Sequence, residues 1–451
     1  MSTLSCSEEF QGGGDSGGSA GASGSSTGGA SGSGSASSGG ASGSGGASSG
    51  GASGSGGASS GGASSGGTSS GGASSGGASS GGASSGGSGG GPPALVPKTA
   101  AQGLLHGCAV RLDGGVECWG DNTYGQLGRG NKGGSANTAA DVKTANGALS
   151  NAKSIAAGVG HSCALSGSDV YCWGSNASGE LLPGGGASSN VAILALSGAT
   201  DVATGDIHTC AALATNGVKC WGSGALGQLG PSGGALQGKK IYALEAGGFN
   251  TCAITDTVPR GLYCWGVNDT KQLTSAASGA HTATPTLIAV TNPSHVAIGL
   301  NHACAIDGSS KLWCWGLNVA GQVGNGDGGP GKIVATPTQV NLTGQVVDVE
   351  AGRDHTCALV GGTAAPSLYC WGGNGQSQLG KTGSGVDLPV LVSGLDSIAG
   401  IVDLATMDNN TTCVRTVSGE VYCWGANGLG QVGNGSTGTG VSVPAKVSGL
   451  P

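Results

Sequence analysis

The stretch HGCAVRLDGGVECWGDNTYGQLG, residues 106–128, contains the unit that decides the fold. Apolar residues alternate before Asp113 and again from Val116 onward, which predicts two strands joined by a tight turn. Its Cys-Trp-Gly recurs seven times, with the cysteines at Cys118, Cys172, Cys220, Cys264, Cys314, Cys370 and Cys423. The intervals are 54, 48, 44, 50, 56 and 53 residues. A period of this size with strand-like content is typical of a β-propeller or a solenoid.

Each copy carries a second cysteine 9 to 13 residues upstream, on the first strand of the hairpin. Directly opposed residues of antiparallel strands lie close enough for a disulfide. We therefore predict seven disulfides: Cys108–Cys118, Cys163–Cys172, Cys210–Cys220, Cys252–Cys264, Cys304–Cys314, Cys357–Cys370 and Cys413–Cys423. Zinc is the alternative, because five copies have a His two residues before the first cysteine. However, two thiolates and one imidazole per unit would make a poor zinc site.

The C-terminal residues favour a closed ring over an open solenoid. Residues 444–450 repeat the beginning of a unit, as residues 389–395 do, and the rest of that unit does not follow. We expect the C-terminal strand to complete the first blade, because an open array would expose sheet edges. The predicted fold is therefore all-β, a seven-bladed β-propeller of four-stranded antiparallel blades, closed by the C-terminal strand.

The repeated pattern His-x-Cys-Ala-Leu, then Val-x-Cys-Trp-Gly-x-Asn-x-x-Gly-Gln-Leu-Gly, resembles the regulator of chromosome condensation repeat. The resemblance covers 97–451 and implies a seven-bladed propeller with four antiparallel strands per blade. The paired cysteines make the chain similar to an extracellular bacterial branch of that family. Some copies depart from the pattern: Asn250 and Thr411 stand where His is expected, Asp408 replaces a Gly, and residues 178–184 degrade the Gly-Gln-Leu-Gly turn.

Residues 12–96 form a different region, built almost wholly from Gly, Ser and Ala. Such a segment has too little apolar surface to offset its ordering entropy, so we expect a disordered linker, with a typical span of about 50 Å. In the preceding segment 1–11, Cys6 lies a few residues before the linker, which resembles the acylated cysteine and spacer of bacterial lipoproteins. We expect lipidation at Cys6, a propeller over 97–451, and a location outside the cell or on its outer envelope, where disulfides persist.

Charge and composition exclude several kinds of partner. The net charge is −7 and the 17 basic residues are scattered, without the basic face of a nucleic-acid-binding protein. No apolar run is long enough to span a membrane, so membrane contact is expected only through a lipid at Cys6. We also expect no metal, no cofactor and a monomeric protein.

One stretch matches a phosphate loop: Gly375, four residues, then Gly380, Lys381 and Thr382. A true phosphate loop opens a helix, and no helical pattern follows Thr382. The stretch is instead the counterpart of residues 120–130 and 316–326 in other copies. We expect its glycines to serve a repeated turn at positive φ, and we expect no nucleotide there.

Five histidines recur at one position of the unit and are the obvious catalytic candidates: His106, His161, His208, His302 and His355. Equivalent positions of different blades lie apart around a ring, so these residues cannot form one nucleophile–base cluster. We expect each histidine to make a hydrogen bond inside its blade and the repeated Trp to pack between blades. The protein is accordingly expected not to be an enzyme.

The two residues between Gly and His vary strongly from copy to copy. They are Leu104–Leu105, Val159–Gly160, Asp206–Ile207, Gly248–Phe249, Leu300–Asn301, Arg353–Asp354 and Asn409–Asn410. Equivalent propeller loops emerge on one face, so variable residues there are a natural recognition set. The predicted binding residues for a protein or glycan partner are Leu105, Phe249, Asn301, Arg353, Asp354 and Asn410.

A cell-surface or secreted binding module is the function that the sequence favours. The resemblance includes a secreted β-lactamase inhibitory protein, which implies protein binding. Guanine-nucleotide exchange on a Ran-like GTPase is the alternative implied by the eukaryotic prototype, but the paired cysteines and the linker oppose it. An enzyme that acts on an envelope or extracellular polymer is the second alternative, because other propellers host lyases and glycosidases.

Overall fold

The computed structural model describes residues 98–450, except 233, 276, 362–365, 396–397 and 407–409. The segment 1–11 with Cys6 and the linker 12–96 lie outside the described residues, as do Asp408 and Asn409. Within the described part of the chain, no helix is long and apolar enough to cross a membrane.

Consecutive strands pair into seven antiparallel sheets, here called blades 1 to 7 in chain order. Blade 1 has β1 (Ala100–Gln102), β2 (His106–Val110), β3 (Val116–Asp121) and β4 (Ser135–Asp141). A small hairpin, β5 (Lys143–Thr144) and β6 (Gly147–Ala148), follows it. Blade 2 has β7 (Ala152–Ala157), β8 (His161–Ser166), β9 (Asp169–Gly174) and β10 (Ser189–Ser197). Blade 3 has β11 (Ala199–Thr204), β12 (His208–Leu213) and β13 (Val218–Gly222).

The remaining four blades repeat the four-strand order. Blade 4 has β14 (Ile241–Gly247), β15 (Asn250–Thr255), β16 (Leu262–Val267) and β17 (His281–Ile288). Blade 5 has β18 (His295–Ile298), β19 (His302–Ile306), β20 (Leu312–Leu317) and β21 (Ile333–Gln339). Blade 6 has β22 (Val346–Ala351), β23 (His355–Val360), β24 (Ser367–Gly372) and β25 (Val386–Leu391). Blade 7 has β26 (Ile401–Ala405), β27 (Thr411–Thr416), β28 (Val421–Asn427) and β29 (Gly438–Lys446).

The structure confirms an all-β, seven-bladed propeller with four-stranded blades, and blade 3 is the one incomplete sheet. Its fourth position is reduced to a single bridge between Val218 and Ala235. The reason is the chain length: only ten residues separate Gly230, at the end of the turn, from β14. These ten residues include Pro231 and three glycines, and glycine and proline disfavour strands.

All seven predicted disulfides are confirmed. The two cysteines of each blade face each other in the register of its second and third strands, with Cα atoms 4.0 to 4.1 Å apart. Because each sulfur is covalently paired, the zinc alternative at these units is excluded. Each bond closes a loop of 9 to 13 residues, a length that stabilises a fold by about 3 kcal/mol in the chain-entropy model.

Each blade is bonded to the next through one backbone carbonyl. The Gln of the Gly-Gln-Leu-Gly turn, or Glu180 in blade 2, accepts a hydrogen bond from the indole N–H of the next blade's repeated Trp. The pairs are Trp173–Gln126, Trp221–Glu180, Trp265–Gln228, Trp315–Gln272, Trp371–Gln322, Trp424–Gln378 and Trp119–Gln431, at 2.8 to 3.0 Å. All seven Trp side chains are buried, which confirms that they pack between blades. The last pair joins blade 7 to blade 1, so the ring is closed.

The prediction that the C-terminal strand completes the first blade is wrong. β29 pairs with β28 inside blade 7, and blade 1 is complete with β1 to β4. Residues 444–446 end the outer strand of their own blade, and residues 447–450 follow that strand. Closure involves the residues after β29: the carbonyl of Ser448 accepts a 2.8 Å hydrogen bond from Ala139 N–H, and Val447 packs in one cluster with Trp119.

The phosphate-loop match is a turn between β24 and β25, and β25 is the next regular element after Thr382. Gly380 has a φ of +70°, and a Cβ there would lie 2.7 Å from Val392 Cγ1, so only glycine fits. Gly375 is not among the positive-φ glycines, whereas Ser377 has a φ of 66°. The expectation of positive φ is therefore correct for Gly380 and wrong for Gly375.

Candidate functional site

The variable residue pairs lie in the seven loops that join the first and second strands of the blades. In every blade, the carbonyl of the residue before the second strand accepts a hydrogen bond from the residue after the repeated Cys-Trp-Gly. The donor–acceptor pairs are Asp121–Leu105, Ser175–Gly160, Ser223–Ile207, Val267–Phe249, Leu317–Asn301, Gly373–Asp354 and Ala426–Asn410, at 2.7 to 3.3 Å. The described parts of these loops, residues 103–105, 158–160, 205–207, 248–249, 299–301, 352–354 and 410, are here called the loop face.

The loop face is continuous across blades 1 to 4. Leu104 N–H donates to the carbonyl of Gly158, and Val159 N–H donates to that of Asp206, at 3.3 and 3.1 Å. Asp206 N–H in turn donates to the carbonyl of Gly248. These backbone bonds fix the loops of blades 1 to 4 against one another, so their side chains form one surface.

The six predicted binding residues all lie on the loop face, and their environments differ. Leu105, Phe249, Asn301, Asp354 and Asn410 are half-buried, and Arg353 is exposed. Arg353 Nε lies 3.9 Å from Asp354 Oδ2, but burial raises the pKa of that carboxyl despite the neighbouring guanidinium. In blades 1 to 5 the variable residues are mostly apolar, whereas in blades 6 and 7 they are charged or amide-bearing. The loop face therefore has an apolar arc and a polar arc.

The five recurring histidines are buried, and each bonds to the next blade. Their Nε2 atoms lie 2.8 to 3.0 Å from hydroxyl oxygens, in the pairs His106–Ser162, His161–Thr209, His208–Thr251, His302–Thr356 and His355–Thr412. Each hydroxyl donates to the carbonyl that also accepts the Trp indole, as Thr209 does to Glu180 at 2.8 Å. The expected bond inside each blade is therefore wrong, since it crosses to the neighbouring blade. We call this arrangement the histidine clasp.

The protonation state of the clasp follows from hydrogen-bond counting. A hydroxyl has one proton, which goes to the backbone carbonyl, so the hydroxyl oxygen must accept from His Nε2–H. Nδ1 then carries a lone pair and no proton. Burial accordingly lowers the pKa of all five histidines to about 3. A neutral imidazole sealed between blades has a structural role.

The central channel is lined by the first strands of the blades and holds an unexpected ion pair. Lys98 Nζ lies 2.8 Å from Glu245 Oε2 and 2.6 Å from Glu350 Oε1, which belong to blades 4 and 6. Burial disfavours the ammonium, but the two carboxylates more than offset this and raise the pKa of Lys98. The side chain of Lys98 therefore connects the beginning of blade 1 with two blades elsewhere in the ring.

Three aspartates of the channel bond the first strand of one blade to that of the next. Asp201 Oδ2 accepts from Leu244 N–H, and Asp348 Oδ2 accepts from Leu404 N–H, both at 3.1 Å. Asp403 Oδ2 accepts from Thr99 N–H, Thr99 Oγ1–H and Ala100 N–H, at 2.7 to 3.0 Å. Burial raises the pKa of Asp201 to about 7 and of Asp348 and Asp403 to about 6.

His295 lies at the channel end opposite the loop face, next to Asp348. Burial lowers the pKa of His295 to about 4, while burial raises that of Glu350 well above its usual range. The sequence reasoning missed this group because it followed the recurring positions and not the exceptions. The usable signal was Glu245 and Glu350 at the position, opposite the first cysteine of each blade, where the other five first strands have Ala.

Fold and junctions together define a closed β-propeller built from one repeated unit. Residues 113–165, 309–359 and 418–451 match the profile described as the regulator of chromosome condensation (RCC1) repeat. A second profile of the same description matches 98–126, 152–180, 199–228 and 294–322. The chain belongs to the RCC1 repeat family.

Similar proteins share part of the chain or its fold. Human E3 ubiquitin-protein ligase HERC2 is 29% identical over 143 residues, which are 30% of this chain and 3% of that protein. Protein pim1 of Schizosaccharomyces pombe is 28% identical over 230 residues, 46% of this chain and 41% of pim1. The chain thus spans less than half the length of these curated relatives.

Solved structures show the same fold at low identity. Prp20p of Saccharomyces cerevisiae, described with its binding to Gsp1p and histones, has a TM-score of 0.61 at 20% identity, covering 75% of this chain and 87% of Prp20p. Human WBSCR16 has a TM-score of 0.58 at 21% identity, covering 69% of this chain and 85% of that one. At this identity the likeness concerns the fold alone.

Proposed function

We propose that this chain is an extracellular binding module whose loop face holds a partner protein. The observation that carries the proposal is the loop face itself: side chains that differ from blade to blade, held by one repeated backbone bond on one rigid ring. The side chains of the apolar arc can be buried by a partner, and those of the polar arc can orient it through hydrogen bonds. Protein interfaces combine these two kinds of residue. A protein partner is therefore favoured over a glycan.

The location in this proposal rests on the disulfides. Seven buried disulfides form and persist in an oxidising compartment, outside the reducing cytosol in which Ran-like GTPases act. Attachment through a lipid at Cys6 belongs to the same proposal. The described part of the chain begins at Lys98, which precedes β1 and lies at the channel end opposite the loop face. The chain therefore enters the propeller away from the loop face.

The binding role also suits the buried state of the recurring histidines. A general base must reach a substrate proton, and these five imidazoles are sealed between blades with their Nε2 protons already donated. A propeller enzyme would need another set of groups. Binding without catalysis is the role that we assign.

The test is a capture experiment with matched surface variants of the full chain. Biotinylated protein is incubated with cell-envelope and culture proteins, and the captured protein is identified and its Kd measured by surface plasmon resonance. The double variant Phe249→Ala with Arg353→Ala removes one anchor from each arc of the loop face. The control variant, Leu112→Ala with Val417→Ala, changes two side chains that are 70% and 60% exposed outside the loop face.

We expect the loop-face variant to weaken binding of the captured protein at least tenfold, while the control binds as the parent does. Equal binding by the parent and the loop-face variant would contradict the proposal. So would loss of binding in the control alone. A captured glycan in place of a protein would contradict the assignment of the partner class.

A further inference from the structure

The channel end opposite the loop face brings together one imidazole and two carboxylates. His295 lies on β18, and Asp348 and Glu350 lie on β22 of the next blade. One ligand atom from each of the three side chains lies within 4.8 Å of the other two. We propose that these residues form an open binding site for a divalent transition-metal ion, with Zn²⁺ as the ion that the nitrogen and oxygen donors fit best.

The contact between His295 and Asp348 has the spacing of two metal ligands. His295 Nε2 lies 3.1 Å from Asp348 Oδ1. Despite this short distance, Nε2 makes no hydrogen bond to any described residue. Two ligands at about 2.0 to 2.2 Å from one zinc ion are themselves about 3 to 3.5 Å apart. An ion beside this pair would give the imidazole nitrogen the partner that it lacks.

The two carboxylates are already held in place by other groups. Asp348 accepts hydrogen bonds from Val349 N–H at Oδ1 and from Leu404 N–H at Oδ2, at 2.9 and 3.1 Å. Glu350 Oε1 lies 2.6 Å from Lys98 Nζ, which leaves its other oxygen for the ion. Such outer partners orient metal-binding carboxylates and strengthen binding. Rigid strands on both sides of the junction keep the three side chains near one another.

A cavity reaches the proposed site at His295. It has a volume of about 250 Å³ and is lined by His295, Lys98, Glu245 and Ser154, among others, but not by Asp348 or Glu350. Ser154 is only 6% exposed, and its hydroxyl has no hydrogen-bond partner among the described residues. The cavity has room on the His295 side for a water molecule that would complete the coordination of an ion with three protein ligands.

The local charge also favours a cation. Lys98 pairs with Glu245 and Glu350 and also attracts the carboxylate of Asp348 without a direct ion pair. One ammonium therefore faces three carboxylates, and incompletely compensated buried charge is costly. A divalent ion would compensate the charge of Asp348 and the second oxygen of Glu350 together.

The test is calorimetric titration of the EDTA-treated full chain with Zn²⁺ at pH 7.5. Cys6→Ser is included in every protein, because Cys6 is the one cysteine of the chain outside the seven disulfides and its thiol could bind zinc. The site variants are His295→Ala, Asp348→Asn and Glu350→Gln. The control is His281→Ala, which removes an exposed histidine of β17.

We expect the parent and His281→Ala to bind one ion per chain with equal affinity, and each site variant to bind at least tenfold more weakly. Zinc should also raise the Tm of the parent but not of Asp348→Asn. If His295→Ala folds poorly, Asp348→Asn and Glu350→Gln decide the question, since both keep the shape of the side chain. Absence of saturable binding in the parent, or binding that survives in the site variants, would overturn the proposal.

Discussion

The junctions between blades are of two kinds, five with the histidine clasp and two without it. Between blades 4 and 5, Asn250 takes the place of the histidine and Ala303 that of the hydroxyl. Between blades 7 and 1, Thr411 and Gly107 take these places. Where one partner of the clasp is missing, the other is missing too. The hydrogen bond of the histidine therefore belongs to the contact between two blades.

The two junctions without a clasp use other hydrogen bonds, although the buried Oδ1 of Asn250 has no partner among the described residues. Asn250 Nδ2 donates to the carbonyl of Val267 at 2.7 Å, inside its own blade. At the ring closure, Gln102 Nε2 lies 2.8 Å from Cys413 Sγ, and a Cβ on Gly107 would lie 2.5 Å from that same nitrogen. A hydroxyl residue has no space there. The closure uses the bonds of Asp403 to Thr99 and Ala100 in addition to the bond between Trp119 and Gln431.

The largest expected effect is loss of the clasped junctions in acid. The pKa of each clasp histidine is about 3 in the folded chain and 6.5 in the unfolded chain. Below pH 6.5 the unfolded chain therefore binds more protons than the folded chain. Stability is therefore present above pH 6.5 and is lost as the pH falls toward 3. At pH 4 the loss is about 3 kcal/mol per histidine, and five such losses exceed the stability of an ordinary domain.

Denaturant unfolding of the oxidised protein from pH 8 to pH 4 checks this expectation. Asp201 and Asp403, with raised pKa values of about 7 and 6, act in the opposite direction, because their protonation relieves a buried charge as the pH falls through these values. Because five histidines outweigh these carboxyls, the free energy of unfolding should be highest above pH 7 and fall increasingly steeply below pH 6.5. A free energy that stays constant between pH 6 and pH 4 would contradict the assigned neutral histidines.

A smaller effect is the difference in stability loss between single substitutions at a junction with the clasp and at one without it. His208→Ala removes a buried ring and leaves the hydroxyl of Thr251 without its donor, at an expected cost of about 3 kcal/mol. Asn250→Ala removes a bond inside one blade, at about 1 kcal/mol. Denaturant unfolding at pH 7 measures both. Equal losses would mean that the clasp adds nothing to a junction.

The smallest effect should come from building a clasp where none exists. Asn250→His combined with Ala303→Thr places both partners at the junction of blades 4 and 5, next to the carbonyl of Gln272. We expect a gain of about 1 kcal/mol for the pair and a loss for Asn250→His alone, because its buried N–H then has no acceptor. Strictly additive single effects in a double-mutant cycle would speak against the pairing.

The sequence predicted the features that repeat within one unit. The predictions were wrong for contacts that join one blade to the next. The hairpins and all seven disulfides follow from alternation and from spacing along one unit. The clasp joins His161 of one blade to Thr209 of the next, so a reading within one unit assigned its bond to the wrong blade. The prediction that the C-terminal strand joins blade 1 was wrong for a related reason. A repeated sequence does not show at which strand one blade ends and the next begins. The channel cluster escaped notice because Lys98, Glu245 and Glu350 meet only once the ring is closed.

Closure of the ring by the seventh junction is most directly tested by hydrogen exchange of the indole N–H groups, followed by NMR at neutral pH. The indole of Trp119, which bonds across the closure to Gln431, should be protected as strongly as that of Trp173 at a clasped junction. Asp403→Ala should speed exchange at Trp119 and leave Trp173 unchanged. Fast exchange of Trp119 in the parent protein, with Trp173 protected, would show that blades 7 and 1 do not join.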